Sequence, residues 1–422
     1  MNNDSARSRI YRAVLGVVIT LLATTGCLGP VITESPPIPT VPDGGPSQPT
    51  NTPPMPGGIE TNAPGGDGGT IPTEVVIPTV APGTGGETGG QNGEGSSPNW
   101  VLYFTDPGDP AGPASGEIET ALVWLIDHAQ QTIDMAVFEF DVQSVADALI
   151  HAHQRGVRVR IVYDNEHTEG DPQIDQLVAA GIPAVPDERS ALMHNKFFVF
   201  DADIVWTGSL NITENGIYRN NNNAIAIISQ QLAANYTVEF EEMFVDHQFG
   251  PTSPANTPFP GTQVGNDTWM ETYFSPDDQA LQQLISLVNE AQQSVHFMAF
   301  SFTDYDLALA MMNRAADGVE VAGLFESRGA NTQYSECPTL LNYGLDVRLD
   351  SNPRTMHHKV VIIDGQTVAV GSFNYSTNAT ESNDENLLFI HNPAIAQLYE
   401  QEFYRLMGQA NFPVGGECLA GD

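Results

Sequence analysis

From about residue 99 onward, apolar positions alternate between two periods. In "IETALVWLID" (Ile118–Asp127) and "ALQQLISLVN" (Ala280–Asn289) they recur at close to one helical turn, which predicts amphipathic helices. Each helix leads into a dense β-rich run, "HAQQTIDMAVFEF" (His128–Phe140) and "EAQQSVHFMAFSF" (Glu290–Phe302). A second helical pattern follows in each case, "SVADALIHAHQRG" and "LALAMMNRAADG", and then another strand, "VRVRIVYD" and "VEVAGLFE". Gly156 and Gly318 stand where those second helices should stop. Helices alternating with short buried strands predict an α/β fold, and the two series match each other element for element. The expectation is therefore two similar α/β lobes, each a mostly buried mixed sheet flanked by helices. "FGPTSPANTPFPGTQVGN" (Phe249–Asn266), rich in Pro, Gly, Thr and Asn, reads as the linker between them. The lobes are placed at residues 99–255 and 256–422.

The first 98 residues follow neither period. Arg7, Arg9 and Arg12 precede an apolar run, Ala13–Ala23, that is short for a membrane span and suited to a signal-peptide core. It ends at "TTGC". This resembles a bacterial lipoprotein signal with Cys27 as the lipidated residue, although Thr24 stands where that pattern has leucine. Residues 1–27 are read as the signal. Residues 28–98, built of Pro, Gly, Thr and Ser without Lys or Arg, are read as a disordered tether. The expected location is outside the cytoplasm, either anchored to the membrane or secreted. Beyond Cys27 only Cys337 and Cys418 remain, and in an exported domain they are a possible disulfide.

Charge narrows the partners. The chain carries a formal −37, of which about −32 falls on residues 99–422. Such a surface repels polyanions at long range. Against this background stand only two lysines, Lys196 and Lys359. They lie in "LMHNKFFVFD" (Leu192–Asp201) and "MHHKVVIIDG" (Met356–Gly365). Each follows a histidine by two residues and precedes an aspartate by five, giving His194, Lys196, Asp201 and His357, Lys359, Asp364. "TGSLN" and "VGSFN" come next, with Gly208, Ser209, Asn211 and Gly371, Ser372, Asn374. Every member of the second set lies 163 residues after its counterpart.

On a strand, alternate residues share a face, so each histidine and its lysine are expected side by side, with Asn195 turned away. His358 is likewise expected on the far face as a structural residue. An imidazole beside an ammonium is a site for an anionic group. Glycine lets the backbone come close, while serine and asparagine are expected to donate to a substrate oxygen. One copy makes half a site, and two copies facing across a lobe interface make a whole one.

The duplicated His-x-Lys-x4-Asp and Gly-Ser-x-Asn motifs resemble the phospholipase D superfamily over residues 99–422. The resemblance implies phosphodiester cleavage through a phosphohistidine, with no metal and no cofactor. It assigns His194, Lys196, His357 and Lys359 to catalysis, favouring His194 as nucleophile. Asp201 and Asp364 belong to the same motifs and are expected to support the architecture. Ser209, Asn211, Ser372 and Asn374 become substrate-binding. The residue that orients a histidine in that family is Glu385 in the second half, where the first half has Asn222.

The substrate readings are a phospholipid head-group phosphodiester, then DNA or RNA cleaved by an extracellular endonuclease, then a binding lipoprotein without hydrolysis. Phe138, Phe140, Phe300 and Phe302 lie near the site strands and would suit lipid or simply the core. Arg155, Arg158, Arg160, Arg189 and Arg354 would suit nucleic acid, though thirteen arginines and two lysines are few for counterion-release binding. Asp164, Glu166 and His167 form an acid-rich loop that a metal-dependent rival would use. The expected partners are the phosphodiester and, through the lipid anchor, a membrane, with no obligate protein partner.

Overall fold

A computed structural model describes residues 99–107 and 116–419. The signal, the tether and Cys27 lie outside them. The first sheet contains β1 (Trp100–Phe104), β2 (Thr132–Val137), β3 (Arg158–Tyr163), β4 (Ala184–Pro186), β5 (Phe197–Phe200), β6 (Ile204–Gly208) and β7 (Asn223–Ile228), in the order β1-β7-β6-β5-β2-β3-β4. The second contains β8 (Gly261–Val264), β9 (Thr268–Ser275), β10 (Ser294–Ala299), β11 (Glu320–Phe325), β12 (Asp346–Leu349), β13 (Lys359–Ile363), β14 (Thr367–Gly371) and β15 (Glu385–His391), in the order β12-β11-β10-β13-β14-β15-β9-β8. In both sheets three strands are parallel (β2, β3, β4 and β10, β11, β12) and the remainder antiparallel. Read from opposite ends the two orders coincide, apart from the added β8.

The helices repeat as well. In the first half they are α1 (Glu117–His128), α2 (Gln143–Gln154), α3 (Pro172–Ala179), α4 (Glu214–Tyr218) and α5 (Gln230–Phe244). The second half has α6 (Ala280–Glu290), α7 (Tyr305–Ala316), α8 (Cys337–Tyr343), α9 (Thr377–Glu381) and α10 (Pro393–Gln409). The apolar stripe of α1 (Ile118, Ala121, Leu122, Leu125) packs on one face of the first sheet with Phe198 and Phe200. Phe197 and Val199, pointing the other way, enter a core shared by both sheets, α5 and α10. With both faces covered, the strand has no polar side, and "FFVF" is apolar throughout. The same holds for "VVII" of β13.

The segment Phe249–Asn266 is less of a linker than its composition suggests. Phe249 is buried in the shared core, and Gly261–Val264 pairs with β9 as strand β8. Prolines and glycines around it mask a four-residue β run. Cys337 and Cys418 form a disulfide that ties the C-terminal segment to α8.

A buried carboxyl group at the shared core yields a stability prediction. Glu239 of α5 is held well above the ordinary glutamate range, by burial first and then by Asp277, Asp384, Glu242 and Asp278. The unfolded chain ionises this group freely above about pH 4.5, so folding loses ground as pH rises. Glu239→Gln retains an acceptor for Asn195 Nδ2, 3.3 Å away. It should stabilise by roughly 1–3 kcal/mol at pH 8 and by much less at pH 5. Thermal unfolding at the two pH values measures this, and destabilisation at pH 8 would refute it.

Candidate active site

Two short backbone pairings between the halves place the motif residues. His194 N donates to Asp384 O, and Asp384 N to Leu192 O; in the mirror arrangement His357 N donates to Asn221 O, and Asn221 N to Thr355 O. The His-x-Lys segment of each half is thus stitched to the strand start that carries the other half's orienting residue. His194 and His357 consequently line one cleft of about 490 Å³, together with Asn211, Asn374, Phe138 and Phe300.

His194 and Lys196 lie just before β5, not on it, and Lys359 is the first residue of β13. The expected sidedness nevertheless holds on the reverse face. Asn195 accepts from Asn386 Nδ2 at 2.8 Å, while His358 contacts Asn223 at 3.0 Å and Glu402 at 3.3 Å. His358 is fully buried in that network and does not line the cleft.

The orienting contacts cross the interface. Glu385 Oε2 is 2.7 Å from His194 Nδ1, and it also accepts from Ser372 Oγ at 2.7 Å. Its Oε1 accepts from Asn383 Nδ2 at 3.2 Å. His357 Nδ1 lies 3.0 Å from both Ser209 O and Asn222 Oδ1. Both of those are acceptors, so Nδ1 of His357 carries the proton and Nε2 keeps its lone pair. That Nε2 is 3.1 Å from Lys359 Nζ.

The two serines are corrected by these contacts. Ser209 Oγ donates to Asn222 and Ser372 Oγ to Glu385, and both residues are fully buried. They brace the orienting residues; neither faces the cleft. Their glycines are required for close approach. Gly208 and Gly371 have φ of 147° and 154°, and a Cβ would lie 2.4 Å from Asn223 O and 2.1 Å from Asn386 O.

Asp201 and Asp364 also lie away from the reacting centre. Asp201 accepts from the backbone N–H groups of Gln130, Gln131 and Thr132, and Asp364 from those of Gln292, Gln293 and Ser294. Each pins the turn after the motif strand to the start of the neighbouring strand.

The lysines are 3% and 1% exposed, so neither serves solubility. Each ammonium sits 4.7 Å over a phenylalanine ring, Lys196 over Phe138 and Lys359 over Phe300. Burial lowers Lys196 to about 7 against the raising pull of Glu385, Glu139 and Asp164. Lys359 is driven well below the ordinary lysine value by burial and then by Lys196. Burial and then the lysines push both imidazoles well below the ordinary histidine value. Burial lifts Glu385 to about 7. A cleft with depressed lysines and neutral imidazoles gains favourable charge when an anion enters.

The aromatic residues divide. Phe138 and Phe300 pack edge-on against His194 and His357 at 4.7 and 4.6 Å, whereas Phe140 and Phe302 are core residues. Among the arginines, Arg160 is taken by Asp134 and Glu241, and Arg189 by Asp384. Arg155 pairs with Asp127, and Arg158 is mostly exposed beside Asp134. Only Arg354 of the five lines the cleft. Asp164 Oδ1 lies 2.9 Å from His167 Nδ1, but Glu166 is exposed, and no group of three such side chains converges among the described residues.

Sequence reasoning missed Glu139, Arg328 and Asn383. Glu139 and Arg328 follow the C-terminal ends of β2 and β11, where open α/β sheets place ligands. That position was the available signal.

Comparison with known proteins bears on the family and the fold. The family model for "Cardiolipin synthase, PLD-like domain" matches residues 122–244 and 284–407. A mitochondrial cardiolipin hydrolase of Xenopus tropicalis is 34% identical over 136 residues, 32% of this chain and 65% of that protein. A phospholipase D of Rickettsia prowazekii is 28% identical over 135 residues, 32% of this chain and 66% of that protein. The chain thus spans less than two thirds of either relative. A solved phosphatidylserine synthase of Haemophilus influenzae covers 74% of this chain and 86% of its own, with 17% identity and a TM-score of 0.55, a likeness of fold.

Proposed function

This chain belongs to the PLD-like domain family of cardiolipin synthase type, and we propose that it is a phosphodiesterase hydrolysing phospholipid head-group esters through a phosphohistidine. The observation that carries the reading is the convergence of His194 and His357, each with its buried lysine, on one cleft. His194 attacks phosphorus through Nε2, and the P–O bond to the leaving alcohol breaks. His357 takes up a proton on Nε2 as the anionic phosphodiester enters the cleft, gives it to that oxygen, then removes one from the water that hydrolyses the P–N bond. The orienting contacts support this division of labour. The intermediate's positive ring needs a lasting counter-charge, which Glu385 supplies at His194. His357 is an imidazolium only in passing, so its neutral partners Asn222 and Ser209 O at Nδ1 suffice, and with no carboxylate to stabilise the cation the Nε2 proton leaves readily. Lys196, Lys359, Asn211 and Asn374 stabilise charge on the phosphoryl oxygens.

A lipid substrate fits better than a polynucleotide. The cleft is lined by Glu139, Asp141 and Asp171, with His167, from the first lobe and by Arg328 and Arg354 from the second. A nucleic-acid track needs cations on both sides of the scissile phosphate. The N-terminal signal and tether read from the sequence would hold such a lipase at a membrane outside the cytoplasm.

Incubating the full chain with phosphatidylcholine and phosphatidylethanolamine vesicles, and separately with single-stranded DNA, tests the substrate. Head-group release with intact DNA is expected, and it should persist in EDTA. Degraded DNA without lipid turnover would replace this reading with the endonuclease. The titration of Lys196 gives a second check. Above pH 7 the free site loses an ammonium, so kcat/KM should fall by up to about tenfold per pH unit. A kcat/KM profile flat from pH 6 to 9 would contradict a role for that charge.

A further inference from the structure

The two halves of the cleft are not equivalent, and the difference is one of charge. Glu139 lies immediately after Phe138, and its pseudo-symmetric counterpart is Ser301; likewise Asp141 corresponds to Thr303. Glu139 and Asp141 line the cleft with His194 and His357, whereas Ser301 and Thr303 line a neighbouring cavity. Glu139 accepts a hydrogen bond from Asn211 Nδ2 and acts electrostatically on both Lys196 and Lys359. It therefore stands close to where an anionic phosphoryl group must bind.

A carboxylate there opposes an anionic ligand unless the ligand brings its own cation. A second observation points the same way. Asn211 is 7% exposed and lines the cleft, and its Oδ1 is buried without a hydrogen-bond partner, as is that of its counterpart Asn374, but of the two it is Asn211 that has a carboxylate, Glu139, on its Nδ2. Its Nδ2 is a donor for a phosphoryl oxygen; its Oδ1 needs a donor from the ligand. An ammonium two carbons from the phosphate oxygen supplies both what Asn211 lacks and what Glu139, Asp141 and Asp171 attract.

We infer that Glu139 is a specificity-determining residue, selecting phosphodiesters whose leaving alcohol carries an ammonium group over those whose leaving alcohol is neutral. This rests on the phosphodiesterase reading above and adds the head-group class to it. On binding, the phosphoryl group takes Asn211 Nδ2, and Glu139 turns from Asn211 to the ligand's cation. The leaving oxygen stays beside His357 for protonation, and the ammonium two carbons further on reaches back to Glu139 on the first-lobe wall.

The test is a calorimetric titration of the full chain carrying His357→Ala, which leaves the ligand unhydrolysed. The ligands are glycerophosphoethanolamine and glycerophosphoglycerol, which differ in the ammonium. The expected result is about tenfold tighter binding of the ethanolamine ester. Glu139→Gln in the same background should bring the ratio near one, because glutamine still accepts from Asn211 but carries no charge. Equal affinities in the parent, no binding of either ester, or a tenfold ratio that survives Glu139→Gln would overturn the inference. Repeating the titrations in a His194→Ala background guards against loss of fold in either variant. An ethanolamine preference in a chain that turns over no vesicle lipid would sink the lipid reading while leaving the selection intact.

Discussion

His194→Ala and His357→Ala are each expected to lower turnover by about 10⁴-fold or more, and the double variant should be scarcely worse than either single one. On the proposed mechanism the two rings act in one sequence of bond changes: without His194 there is no P–N bond to form, and without His357 the leaving oxygen departs unprotonated. The fold should survive both changes. In His194→Ala, Glu385 keeps Ser372 and Asn383 as donors, and its raised pKa of about 7 lets it take up a proton so that no unpaired charge is buried. In His357→Ala, Asn222 keeps Ser209 Oγ. Steady-state rates alongside thermal unfolding separate catalytic loss from misfolding. A folded single variant retaining more than about a hundredth of the parental rate would refute the shared mechanism.

Lys196→Met and Lys359→Met are the second large effect, each lowering kcat/KM by about 10²–10³-fold. What distinguishes this prediction is its sign on stability. Both ammonium groups are buried, and their lowered pKa values mean that burial disfavours their charge. Methionine keeps much of the length and removes the charge, so the melting temperature should stay level or rise while activity collapses. This is the trade expected of a site organised to bind an anion. A variant that loses stability and keeps its rate would mark the lysine as structural instead.

Much of the fold was legible because its signals are local. The helical periods of Ile118–Asp127 and Ala280–Asn289, and the apolar runs "FFVF" and "VVII", sit on the helices and strands they indicated. The constant spacing of the motifs indicated the duplication, which the matching strand orders display. The linker was read too broadly, since composition averages over the short strand β8. The serines were misassigned because a hydroxyl after glycine looks the same in sequence whether it faces a ligand or a neighbouring carboxylate. Glu139 and Arg328 gave no signal of their own, as single charged residues in an acidic chain.

The sequence by itself singled out the residues proposed to carry the chemistry. A chain with only two lysines, each two residues after a histidine, leaves little choice about where an anion is held. Tertiary structure alone decided the pairing. Glu385 serves His194 and Asn222 serves His357 because backbone hydrogen bonds at Asp384 and Asn221 stitch each motif to the opposite half. Partners separated by 191 and 135 residues leave no local pattern. Their proximity comes from burying the two sheets and helices α5 and α10 in one shared core, a property of the whole chain that no segment of it encodes.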